Sequence, residues 1–192
     1  MKLFVLDAEN VSEEDISLVR ARFPRRYERA MRLVKNEDRL AVIAAGALLW
    51  RVLGADESMI ITAAEGRPYL AEGPEFSLSH SRGRCVLAVS DTRIGVDIEW
   101  MDESDLIAAG AALTEAELEW IAPDPLERFH ILWTRKESIY KAVGGFEDPR
   151  DIEALDGRLP AELIIKSTVA EGFALSVCSQ AGDTEQKIIY GT

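Results

Sequence analysis

The chain has 192 residues, 47% of them apolar and 29% charged, a composition of globular domains that excludes disordered, collagen-like and fibrous chains. With 34 acidic against 22 basic side chains the net charge is −12, which excludes a generic nucleic-acid binder whose affinity rests on neutralising phosphates. The longest apolar run, Leu40 to Trp50, spans eleven residues, short of the ~20 that a membrane-spanning helix needs. Asp7 and Glu9 follow the opening Leu3–Leu6 at once, so there is no signal-peptide core, and the expected location is the cytoplasm. Cys85 and Cys178 lie in alternating segments without metal-ligand spacing and read as reduced core residues.

Met1–Asp7 alternates weakly and reads as an edge strand. Ser12 with Asp15 three residues on forms a variant capping box for a helix to about Ala21, and Pro24 ends or restarts it. Glu37 to Leu53, apolar nearly all round and stopped by Gly54, is expected to be the central packed helix. From Met59 the period becomes alternating. Glu75–Leu78, Cys85–Ser90 and Arg93–Trp100 are expected strands, most economically a three-stranded meander. Thr114 with Glu117 is a second capping box, opening a helix to about Ile121, and Leu126–Val143 is a helix stopped by Gly144-Gly145. Ala161–Val169 and Phe173–Ser179 are expected strands joined by a Glu171-Gly172 turn. Helix-then-strands thus occurs twice, which allows two similar α/β halves.

Charge is unevenly distributed. Arg20, Arg22, Arg25, Arg26, Arg29, Arg32, Lys35 and Arg39 stand against Glu28, Glu37 and Asp38, a local charge of +5 that leaves −17 for the rest. Such a patch on an acidic protein suits a polyanionic small ligand, an acidic partner protein or simply a solvated helix face. In Ile94–Trp100, Val96, Ile98 and Trp100 fall on one strand face, while Asp97 and Glu99 stand on the other roughly 6–7 Å apart. Two such acids repel each other unless a cation lies between them, and hard oxygen ligands favour Mg²⁺ over zinc. Trp133, Glu137 and Lys141 at i, i+4 and i+8 share one helix face.

Four stretches in this order carry a resemblance: Gly66–Leu70 (GRPYL), Phe76–Ser81 (FSLSHS), Ile94–Glu99 (IGVDIE) and Trp133–Lys141 (WTRKESIYK). Together they resemble the Sfp-type 4'-phosphopantetheinyl transferases over about residues 24 to 180. The resemblance implies an α+β fold of two similar α/β halves related by a pseudo-two-fold, with antiparallel strands packed on helices. The expected halves are 1–102 and 103–192, with the site between them. It implies transfer of the 4'-phosphopantetheine arm of coenzyme A to a serine of an apo acyl or peptidyl carrier protein, releasing 3',5'-ADP. Asp97, Glu99 and Glu137 would bind Mg²⁺, and Glu137 would activate the serine hydroxyl, directly or through a metal-bound water. Lys141 and Lys136 would offset phosphate charge. Ser79, His80, Arg67, Arg26 and Arg29 would contact coenzyme A, and a monomer is expected. After Lys141 the chain reads Ala142-Val143-Gly144-Gly145-Phe146, without the basic residue the family often has there. A Mg²⁺-dependent pyrophosphate hydrolase using water, and a non-catalytic coenzyme A or carrier-binding module, are the alternatives.

Overall fold

The computed structural model describes residues 1–64, 66–180 and 187–190. In chain order they form β1 (Lys2–Asp7), α1 (Glu13–Arg22), α2 (Pro24–Met31), α3 (Asn36–Leu53), β2 (Ile60–Thr62), β3 (Pro68–Leu70), β4 (Glu75–Ser81), β5 (Arg84–Ser90) and β6 (Ile94–Trp100). Then come α4 (Ala109–Ala112), α5 (Glu115–Ile121), α6 (Pro125–Val143), β7 (Leu163–Ala170), β8 (Phe173–Gln180) and β9 (Lys187–Tyr190). The architecture is α+β. The end of the expected second half, 181–186 and 191–192, lies outside the described residues.

Local chemistry accounts for the helix ends. Ser12 and Asp15 cap each other reciprocally, Thr114 and Glu117 do the same for α5, and Gly54 ends α3 in the left-handed region at φ +63°. Pro24 restarts the helix as α2, where the Glu57 carboxylate accepts hydrogen bonds from the Arg25 and Arg26 backbone N–H groups at 3.0 and 3.1 Å.

Two strand expectations change. β1 is not an edge: it lies between β5 and β9 in a sheet ordered β4-β5-β1-β9, pairing antiparallel with β5 and parallel with β9. The meander is also broken, because β4 and β5 form a hairpin while β6 joins a second sheet ordered β6-β8-β7. β2 and β3 make a small antiparallel ribbon.

A long helix backs each larger sheet. α3 sends Val42, Ile43, Leu48 and Leu49 into a core with Phe23, Phe76 and Leu87, and α6 contributes Phe129, Leu132 and Ile139 to another with Ile121 and Cys178. A third apolar cluster joins the sheets, with Val86 and Ala88 of β5 against Val96 and Ile98 of β6. The β6 face opposite that cluster carries Gly95, Asp97 and Glu99, and α6 covers it. Contact there is close enough that a Cβ on Gly95 would overlap the Ser138 carbonyl oxygen and lie 2.7 Å from the Ala142 amide nitrogen. Both cysteines are free and buried, as expected.

Candidate active site

The site forms where β4, β6 and α6 meet. Strand alternation turns Asp97 and Glu99 towards α6, and helical spacing turns Trp133, Glu137 and Lys141 back towards β6. Lys141 Nζ donates to Asp97 Oδ1 at 2.6 Å, to the Val96 carbonyl at 3.2 Å and to Ser79 Oγ at 3.3 Å. Ser79 Oγ donates to the same Asp97 Oδ1 at 2.7 Å, and Ser81 Oγ donates to Glu99 Oε2 at 2.8 Å. Asp97 is 3% exposed, and its other oxygen, Oδ2, is buried without a hydrogen-bond partner among the described residues.

The acids disfavour one another's charge. Burial, followed by the negative charge of Asp97, pushes Glu99 up from its ordinary 4.5 to about 7. Glu137 is raised by the same two causes in the same order, with Lys141 partly offsetting them. Among the described residues no three His, Cys, Asp or Glu side chains form a ready metal-holding group, and the cation touching Asp97 is the Lys141 ammonium.

Glu137, Tyr140 and Lys141 open onto a cleft of about 230 Å³, also lined by Gly66, Arg67 and Phe76. Arg67 reaches it paired to Glu75 Oε2 at 2.6 Å, with its Nε buried and unpartnered among the described residues. His80 is half-buried. Burial, then the charges of Arg29, Arg26 and Lys141, lowers its pKa below the ordinary 6.5, so the imidazole is neutral at pH 7 amid three cations. Arg26 is half-buried, and burial lowers its pKa. It fits against α3 because position 46 is glycine; a Cβ there would lie 3.2 Å from Arg26 Cδ. Ser79 and Lys141 thus touch Asp97, and Arg67 shares the cleft with Glu137, while Arg26 and Arg29 act through their charge on His80.

Lys136 is not brought to them. It is 1% exposed, paired to Glu117 Oε1 at 2.6 Å, and donates to the Pro149 and Ile152 carbonyls at 2.8 Å each. This placement replaces the expected phosphate contact with a link between α5, α6 and the loop after α6. Lys136→Met leaves the Glu117 carboxylate buried without its cation, and the expected loss is about 3–5 kcal/mol, read as a lower urea midpoint. Coenzyme A affinity of the folded fraction is expected to stay unchanged; a selective affinity loss with normal stability would restore the phosphate role.

Sequence reasoning missed Ser77, Ser81 and Tyr140, although serine at every second position of β4 was a visible period-two signal. His130, given no role in the sequence, is buried, with Nδ1 2.8 Å from the Leu126 carbonyl and Nε2 3.2 Å from Asp105 Oδ2.

Known proteins resemble this chain in sequence. The sequence profile of the 4'-phosphopantetheinyl transferase superfamily matches residues 93–182, the span holding Asp97, Glu99, Glu137 and Lys141. The chain is 33% identical to the 4'-phosphopantetheinyl transferase AcpT of Salmonella typhi over 150 residues, covering 73% of this chain and 77% of that protein. It is 30% identical over 130 residues to the 4'-phosphopantetheinyl transferase gsp of Aneurinibacillus migulanus, covering 59% of this chain and 55% of the relative. It is 33% identical over 98 residues to the 4'-phosphopantetheinyl transferase psf-1 of Bacillus pumilus, covering 48% and 42%. With identity of that level sustained across most of a relative's length, the chain belongs to the 4'-phosphopantetheinyl transferase superfamily.

Proposed function

We propose that this chain transfers the 4'-phosphopantetheine arm of coenzyme A to a serine of an apo carrier protein, with Asp97, Glu99 and Glu137 holding Mg²⁺. The observation that carries this reading is the buried Asp97 between two carboxylates of raised pKa, with one oxygen on Lys141 and the other unpartnered. A divalent cation fits that donor set: the oxygens are hard ligands, and the cation relieves their mutual repulsion. When bound it supplies Lewis-acid neutralisation of pyrophosphate charge.

The side chains divide the remaining work. Arg26, Arg29, Arg67, Ser79 and His80 receive the nucleotide end of coenzyme A, the guanidinium groups supplying forked donors for phosphate. Glu137 faces the cleft, and its raised pKa makes it a stronger base near neutral pH. It takes the proton as the serine oxygen attacks the β-phosphorus. The new bond joins serine oxygen to phosphorus, and the bond to the bridging oxygen breaks. The electron pair leaves with 3',5'-ADP, whose developing charge Lys141 stabilises.

Arg20, Arg22, Arg25, Arg29, Arg32 and Lys35 are exposed, a basic face that suits an acidic carrier. Two halves, 1–102 and 103–192 around a pseudo-two-fold, are supported by α3 and α6, each a long helix on an antiparallel hairpin. Because β6 and α6 of one chain supply all three acids, a monomer suffices, working in the cytoplasm. Among the described residues no helix is long and apolar enough to cross a membrane.

The test is intact-mass measurement of apo acyl carrier protein incubated with coenzyme A and Mg²⁺. A carrier heavier by the phosphopantetheine arm is expected. Release of the arm without carrier would mean hydrolysis instead, and no reaction with any of several carriers contradicts the proposal. A pH dependence follows from Glu99. Its raised pKa means that its contribution to stability is full below its ordinary value and lost as pH rises through about 7. Without Mg²⁺ the melting temperature is expected to fall between about pH 4.5 and about pH 7, and the increase caused by Mg²⁺ to grow over the same window. Glu99→Gln is expected to flatten both trends in differential scanning calorimetry.

A further inference from the structure

β4 and β6 run side by side at the junction of the two larger sheets, yet neither sheet pairs them through a backbone ladder. Three serine hydroxyls bridge them. Ser77 Oγ accepts from the Val96 backbone N–H at 3.0 Å, Ser79 Oγ donates to Asp97 Oδ1 at 2.7 Å, and Ser81 Oγ donates to Glu99 Oε2 at 2.8 Å while accepting from the Trp100 N–H at 3.0 Å. Period-two alternation puts all three on one face of β4, while Phe76 on the other face enters the α3 core. Ser79 and Ser81 thus each tie down one oxygen of one carboxylate. For Asp97 the oxygen left over is the buried, unpartnered Oδ2.

We propose that Ser81 and Ser79 are positioning residues that fix the Glu99 and Asp97 carboxylates for the divalent cation. The inference rests on the metal reading above and reassigns Ser79 from coenzyme A to the acid cluster. Ser81 is well placed for the task. It is the last paired residue before the Arg82-Gly83 turn, whose positive φ values of 39° and 80° mark a tight hairpin. Its accepted bond from Trp100 orients the hydroxyl so that its single proton is free for Glu99. A carboxylate on a two-methylene stem samples several rotamers; a donor anchored on a neighbouring strand selects one and leaves the second oxygen free. Outer partners of metal ligands act in this way, and losing one weakens metal binding about 10–100-fold.

The experiment is calorimetric titration of Mg²⁺ into wild type, Ser81→Ala, Ser81→Thr, Ser79→Ala and Asp97→Asn without coenzyme A, with the melting temperature of each taken alongside. Ser81→Ala and Ser79→Ala are each expected to weaken Mg²⁺ about tenfold, and Ser81→Thr, which keeps the hydroxyl on a β-branched stem suited to a strand, to restore it. Should Ser81→Ala fail to fold, Ser81→Cys keeps the shape with a poor donor and is expected to show the same weakening. A lowered melting temperature with an unchanged Mg²⁺ dissociation constant overturns the positioning role and leaves Ser81 as a strand connector. Wild type that takes up no Mg²⁺, or Asp97→Asn that takes it up equally well, overturns the metal reading and the serine roles together.

Discussion

Glu137→Gln is expected to lower carrier modification about 10²–10⁴-fold while leaving the protein at least as stable as wild type at neutral pH. The two effects have one origin. Glu137 sits half-buried on the face of α6 that meets β6, where burial and the charge of Asp97 both oppose its ionisation. The folded state therefore pays for a carboxylate at this position, and the amide of the same shape removes that cost. The amide cannot accept the serine proton and is a poorer ligand for a hard cation. Activity and melting temperature should thus move in opposite directions or activity alone should fall. If Glu137→Gln kept wild-type turnover, the base would have to be another group; a large loss of stability would mean that its carboxylate makes structural bonds.

Gly95→Ala is expected to damage both fold and site. A methyl group at this position meets backbone, the Ser138 carbonyl and the Ala142 amide, which cannot swing aside as a side chain could. Overpacking of this kind costs about 3 kcal/mol when the neighbours cannot yield. In a chain of this size that is a fall of roughly 6–12 °C in melting temperature. The chemical effect is larger. Ser138 lies one residue from Glu137 and Ala142 one residue from Lys141, so moving α6 off β6 parts Lys141 from Asp97, and a displacement of about 1 Å in an active site costs about 10²-fold in rate. A Gly95→Ala variant with normal melting and normal turnover would show that α6 does not need this contact to place the acids.

What the sequence conveyed was mostly local. Period-two alternation put Asp97 and Glu99 on one face of β6, and the i, i+4, i+8 row put Glu137 and Lys141 on one face of α6; the Lys141–Asp97 bond joins those faces. The same geometry argues against Lys136 in the site, since neighbours on a helix point about 100° apart and its partners Glu117, Pro149 and Ile152 lie elsewhere. The meander reading failed because adjacent strands usually pair, and nothing local to Ser90–Ile94 announces that β6 leaves for the sheet of β8. β1 looked like an edge for a similar reason: its parallel partner β9 is four residues at the far end of the chain, a pairing without a local signature. Gly95 was equally silent, because the need for a bare Cα arises only when α6 crosses it.

The most direct measurement of the central claim is phosphopantetheine transfer from coenzyme A to an apo carrier, followed by intact mass as divalent ions are withdrawn with a chelator and Mg²⁺ is restored, for wild type and Asp97→Asn in parallel. Wild type is expected to stop on chelation and resume on Mg²⁺, and Asp97→Asn to remain near background throughout. Transfer that continues in the chelator, or an Asp97→Asn protein that modifies the carrier at the wild-type rate, would contradict a divalent ion held by this acid cluster.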